Sequence, residues 1–114
     1  MKRELPAIQR AYDLSKELFP RVAKFPKDYK FSLGQRIIDN SLDNLELLIE
    51  AAYTSNKSNL LQEANIRLER LRFLLRLSRD LGSLSDSGYE HIMKMINNLG
   101  KQIGGWRKQA SAKG

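Results

Sequence analysis

Apolar residues recur along this chain at intervals of three and four, over four stretches separated by short polar or proline-bearing connectors. That period belongs to amphipathic helices. Strands are not expected, because β-branched residues are sparse and no alternating pattern persists for five residues. The first helix is expected from about Leu5 to Lys24, with Ile8, Ala11, Ser15, Leu18, Phe19 and Val22 on one face. Pro20 lies inside that pattern and predicts a kink or a tightened turn. Phe25-Pro26-Lys27-Asp28-Tyr29-Lys30 ends the helix, since the residue before a proline resists the α conformation. Ser32 opens a second helix, with Gln35 at capping-box spacing. Ile37, Ile38, Ser41, Leu42, Leu45, Leu48, Ile49 and Ala52 line its apolar face, and Asp39, Asp43, Glu46 and Glu50 its opposite edge. After a turn at Thr54–Asn59, a third helix runs from about Leu60 to Leu81 and stops at Gly82. Ser85 or Asp86 can cap a fourth, which ends near Lys108.

The last three helices are each about 20–25 residues, or roughly 30–37 Å long at 1.5 Å per residue. Short connectors force neighbours to run antiparallel, so the expected fold is all-α, an up-down-up-down antiparallel four-helix bundle. It occupies residues 1–109, and 110–114 form a frayed tail with little to pack.

The third helix is apolar on more sides than a bundle needs. Advancing about 100° per residue from Leu60, the residues Leu60, Ala64, Leu68, Leu71 and Leu75 fall between about 0° and 80° and make the core face. Ile66, Phe73 and Leu77 fall near 220–260°, with Leu74 and Leu81 between the two arcs. Either this second arc touches another subunit, or the Phe25–Phe31 connector covers it within the monomer. The remaining strip, near 100–180°, holds Glu69, Arg72, Arg76 and Arg79, so three arginines leave the helix in nearly one direction. On the fourth helix Tyr89, Ile92, Met93, Ile96, Leu99 and Ile103 form the core face, while Lys94, Lys101 and Lys108 recur every seven residues. Their ammonium groups make a stripe about 20 Å long.

Composition narrows the function. The 114 residues allow one domain, and no apolar run approaches the ~20 residues that cross a bilayer. No apolar signal-peptide core is visible near the first residues, and the absence of cysteine fits a reducing cytoplasm and removes thiolate chemistry. The net charge of +7 favours an acidic partner, nucleic acid foremost. Nothing points to an enzyme. His91 is the single histidine, and Glu90 directly precedes it, so the spacing of a bundle di-iron site is missing. Gly104-Gly105 follows no strand and opens no phosphate loop. No catalytic residue, metal site, cofactor or small-molecule substrate is therefore expected. Trp106 can stack on a base, although a lone tryptophan near a helix end more often covers a core edge or an interface. Lysine and arginine stripes recognise phosphate rather than sequence, so binding should be salt-dependent and weakly selective.

The segments 31–53, 60–82 and 89–108 together resemble a known family of small four-helix bundles. It comprises the accessory variability determinant (Avd) of diversity-generating retroelements and the proteins encoded in intervening sequences of bacterial 23S rRNA genes. The most specific pieces are Leu-Gly-Gln-Arg at 33–36, the Arg-Leu-Glu-Arg-Leu-Arg-Phe-Leu-Leu-Arg-Leu run at 67–77 and Gly-Gly-Trp at 104–106, and the latter two look closer to Avd. The resemblance implies a ring-like homo-oligomer, a pentamer, with a positive surface that binds RNA or DNA and the retroelement's reverse transcriptase. It implies support for copying template RNA into mutated cDNA. On this sequence Arg72, Arg76 and Arg79 match the family's basic pattern, whereas Lys94, Lys101 and Lys108 come from spacing alone. Over 32–55 one arginine faces four carboxylates, and that acidic strip can pair with arginines across a subunit boundary. Two alternatives stay open: an rRNA-associated bundle protein with no polymerase partner, and a protein-interaction scaffold that binds no nucleic acid.

Overall fold

The computed structural model describes residues 4–113, so the chain's first three residues and Gly114 lie outside the described part. Four long helices and one single turn succeed each other: α1 (Glu4–Ala23), α2 (Lys27–Lys30), α3 (Leu33–Ala52), α4 (Ser58–Asp80) and α5 (Asp86–Lys113). No strand occurs among the described residues. α1 packs on α3, α3 on α4, α4 on α5, and α5 back on α1, which closes a four-helix bundle about 46 Å long.

Cross-helix partners give the direction of each neighbour. Gln62 meets Arg107, Arg72 meets Asn97, and Arg79 meets Tyr89, so partners climb α4 as they descend α5. Glu17 meets His91, and Arg21 lies against Gly88, so α1 and α5 are likewise antiparallel. Between α3 and α4, Asn44 Nδ2 donates to the Ala64 carbonyl at 2.7 Å, and this buried bond fixes their register.

The core is mainly aliphatic. Leu14, Leu18, Ile37, Leu48, Leu61, Leu68, Leu71, Leu75, Ile92, Ile96, Leu99 and Ile103 are fully buried, and Trp106 closes one end of the cluster. Each buried leucine or isoleucine contributes about 1.5–3 kcal/mol over its exposed state. The core face of α4 agrees with its sequence pattern, except that at the N-terminal turn Leu61 is fully buried and Leu60 only partly so. On α1 the stripe is rotated: Ala7 and Leu14 are buried, whereas Phe19 is exposed. α1 must face α3 and α5 together, and that shared direction turns Phe19 outward. On α3, Ile49 is exposed and Leu42, Leu45 and Ala52 are only partly covered, while Asn44 takes a core position.

The helix ends show what stops them. After Pro20 the chain tightens, with Lys24 N–H donating to Arg21 O and Phe25 N–H to Val22 O three residues back. The proline connector is not plain coil but holds the single turn α2. Because α2 sits just before Ser32, its hydroxyl turns back to the Asp28 and Tyr29 carbonyls and makes no cap bond to α3. The expected capping box is therefore absent, and Gln35 donates to Asp39 instead. Gly82 ends α4 at φ +78°, with Ser83 N–H bonded to Ser78 O and Gly82 N–H to Arg79 O, the pairing of a Schellman motif. Ser85 Oγ accepts from Gly88 N–H and caps α5. α5 then continues to Lys113, with Ala110 against the core, beyond the expected end near Lys108 and through most of the segment read as a frayed tail.

Candidate nucleic-acid interface

α4 is buried along one stripe and open along two others. On its α3 side, Ile66, Phe73 and Leu77 are 39%, 61% and 47% exposed. They line a groove shared with Phe31, Arg36, Asp43 and Arg70. The connector does not cover this arc: Phe25 enters the core, but Phe31 stands at the groove's rim, 73% exposed. The reading in which the Phe25–Phe31 segment buries the second arc is thus overturned. Part of the acidic strip is used within the chain, since Asp43 pairs with Arg67 at 3.7 Å.

On its α5 side α4 is basic. Arg72, Arg76 and Arg79 sit at i, i+4 and i+7 and share that strip. The antiparallel register sets them beside α5, where Lys94, Lys101 and Lys108 are all exposed and lie within about 40° of one another around the helix. The two stripes meet where Arg72 and Lys101 line one depression between α4 and α5. Lys101 lines a depression with Arg72, Asn97, Gly100, Asn65 and Glu69, and Lys108 lines a second with Asn65, Gly104, Arg107 and Ser111.

The three arginines are not equivalent. Arg72 donates to Glu69 at 2.8 Å and to Asn97 Oδ1 at 3.3 Å, so part of its charge is neutralised. Arg79 lies 4.3 Å over the Tyr89 ring and 3.5 Å from Asp80, which ties it to the packing of α5 on α4. Arg76 is exposed and makes no ion pair among the described residues, as is true of Lys94, Lys101 and Lys108. Sequence spacing missed Arg107, Asn65 and Asn97 on this face. Arg107 donates to Gln62, a neutral partner that leaves its charge uncompensated. Adjacency to Lys108 was a usable signal for Arg107; nothing short of the register could place the two asparagines.

Trp106 is 4% exposed within the core cluster, so it seals the bundle and is not displayed for stacking. His91 is exposed and 3.3 Å from Glu17, which also accepts from Arg21. Among the described residues no three histidine, aspartate or glutamate side chains converge as metal ligands, and no helix is long and apolar enough to cross a membrane.

Fold and surface thus define a class, a small all-helical protein with an apolar groove on one side of α4 and a basic face on the other. A family model described as bAvd-like matches residues 7–110, and the chain belongs to that family. No curated protein matches it.

Proposed function

We propose that this chain is a non-catalytic accessory subunit of a diversity-generating retroelement, binding template RNA or its cDNA and the reverse transcriptase in the cytoplasm. The observation that carries the nucleic-acid role is the register of α4 against α5, which sets Arg72 and Lys101 in one depression and leaves Arg107 and Lys108 in the next. Membership of the bAvd-like family supports the retroelement setting. The chain acts as a ring-like homo-oligomer, a pentamer, through Ile66, Phe73 and Leu77. A ring of more than two subunits needs two different complementary patches. Further exposed apolar side chains, Tyr12 and Phe19 on α1 and Ile49 on α3, support this reading.

The test reverses charges that have no structural partner. The variant Arg76→Glu/Lys94→Glu/Lys101→Glu is expected to keep its helical content and its oligomer mass while losing RNA affinity by more than about tenfold at low salt. Its log–log salt slope should be shallower by about 0.7 for each lost single-strand phosphate contact. Co-purification with the reverse transcriptase should fall in parallel. A folded triple variant that binds RNA as the wild type does would overturn the assignment of this face.

A further inference from the structure

We infer that a single nucleic-acid strand lies along the groove between α4 and α5, with Asn65, Asn97 and Arg107 among its ligands beside Arg72, Lys101 and Lys108. This rests on the nucleic-acid reading above and adds a path, a strand state and three residues to it. The two depressions on this side both reach Asn65, so they adjoin end to end along α5 and together offer one path. From Asn97 to Ser111 it follows α5 for about 21 Å at 1.5 Å per residue. Its charged walls are Arg72, Lys101, Arg107 and Lys108, against the single carboxylate Glu69, which is already paired with Arg72. Cations therefore recur along the groove's whole length, with the least compensated ones, Lys101, Arg107 and Lys108, toward the α5 C-terminus.

Shape favours one strand state. Packed helices lie about 8–10 Å axis to axis, so the furrow between them is on the scale of one sugar-phosphate strand, whereas a duplex, wider than its own ~12 Å major groove, could rest only on the rim. The amides of Asn65 and Asn97 line the same depressions as the cations; both can donate to phosphate, and Asn65 can accept from a ribose 2′-hydroxyl while the Asn97 oxygen already accepts from Arg72. Such contacts position a strand without reading its sequence.

A pair of adjacent glycines supplies the test. A Cβ added at Gly104 or at Gly105 meets nothing within 4 Å, so a side chain at either position starts into open space. The two differ by about 100° around α5, and only Gly104 lines the groove. Anisotropy titrations would use labelled oligouridylate and an RNA duplex of equal length, at low salt, on the full-length protein. Gly104→Leu should weaken oligouridylate binding at least about tenfold while Gly105→Leu binds as the wild type does, with equal melting temperatures. Asn65→Ala/Asn97→Ala should weaken it several-fold, and the wild type should prefer the single strand to the duplex. Equal binding by the two glycine variants, or a preference for duplex, overturns the groove path and leaves the basic face standing. A wild-type protein that binds neither RNA overturns the nucleic-acid reading itself.

Discussion

The two grooves that flank α4 are built from the same helix, yet they are opposite in character. Toward α3 the lining is aromatic and aliphatic, with Phe31, Ile66, Phe73 and Leu77, and its charges are mixed in sign and partly paired through Arg67 and Asp43. Toward α5 the lining is amide, glycine and cation, and only Glu69 opposes it. A rotation of about 100° around one helix separates Phe73 from Arg72. A surface that gains by leaving water and a surface that gains by attracting phosphate can thus share an element without sharing a side chain. Salt leaves apolar burial intact or strengthens it, whereas the phosphate term falls steeply with salt, so the two grooves should respond in different directions.

The largest expected effect acts on the core that holds the helices of both grooves in place. Trp106→Ala leaves a cavity where the indole closes the core, and should cost about 3–5 kcal/mol of unfolding free energy, read as a lowered urea midpoint. A tryptophan that served only to stack on a base would behave the other way, losing RNA affinity at unchanged stability. An unchanged midpoint would therefore remove Trp106 from the core and return it to the surface.

The next effect splits the grooves. Phe73→Asp places a carboxylate in the exposed apolar arc, and by light scattering the particle should fall to the monomer mass of 13.1 kDa with helical content intact. RNA affinity should then drop by about 100-fold or more through lost avidity, although no basic residue has changed. The charge-reversed triple variant should show the converse, with its mass retained and its affinity lost. If Phe73→Asp leaves the mass unchanged, the apolar groove is not the subunit contact, and another partner must be sought for it.

Much of this was legible before any coordinates. Long stretches with a period near 3.6 gave four helices in the right places, and Gly82 and Ser85 marked their ends through the chemistry of the left-handed turn and the side-chain cap. The exposed arc of Ile66, Phe73 and Leu77 was also readable, because a single helix wheel determines it. What escaped reading depends on neighbours. On α1 the face of Ala11, Ser15, Leu18 and Val22 is buried as its spacing predicts, whereas simultaneous contact with α3 and α5 adds Ala7 and Leu14 and leaves Phe19 outside. A four-residue helix such as α2 has no period to detect, and its presence diverts the Ser32 hydroxyl from its expected cap. The inequality of the three arginines required the α4–α5 register, since Asn97 and Tyr89 are more than a turn of sequence away in any local pattern. Periodicity tells which side of a helix is buried; only packing tells which of its exposed charges are already spoken for.

The smallest effect compares glycines for a reason that bears on the basic groove alone. Gly82 sits at φ +78°, where a Cβ meets no neighbour but strains the backbone, so Gly82→Ala should lower stability by about 1–2 kcal/mol. Gly104 lies inside α5 with helical geometry and open space, so Gly104→Ala should raise stability by about 0.5–1 kcal/mol through the reduced freedom of the unfolded chain. Chemical denaturation of the two variants against the wild type would measure both. Opposite signs would mean that one glycine is required by the fold, while the other weakens its helix and has no packing use to offset that. A destabilised Gly104→Ala would instead show that the fold needs the glycine, and an open groove floor would no longer be the simplest account of its presence.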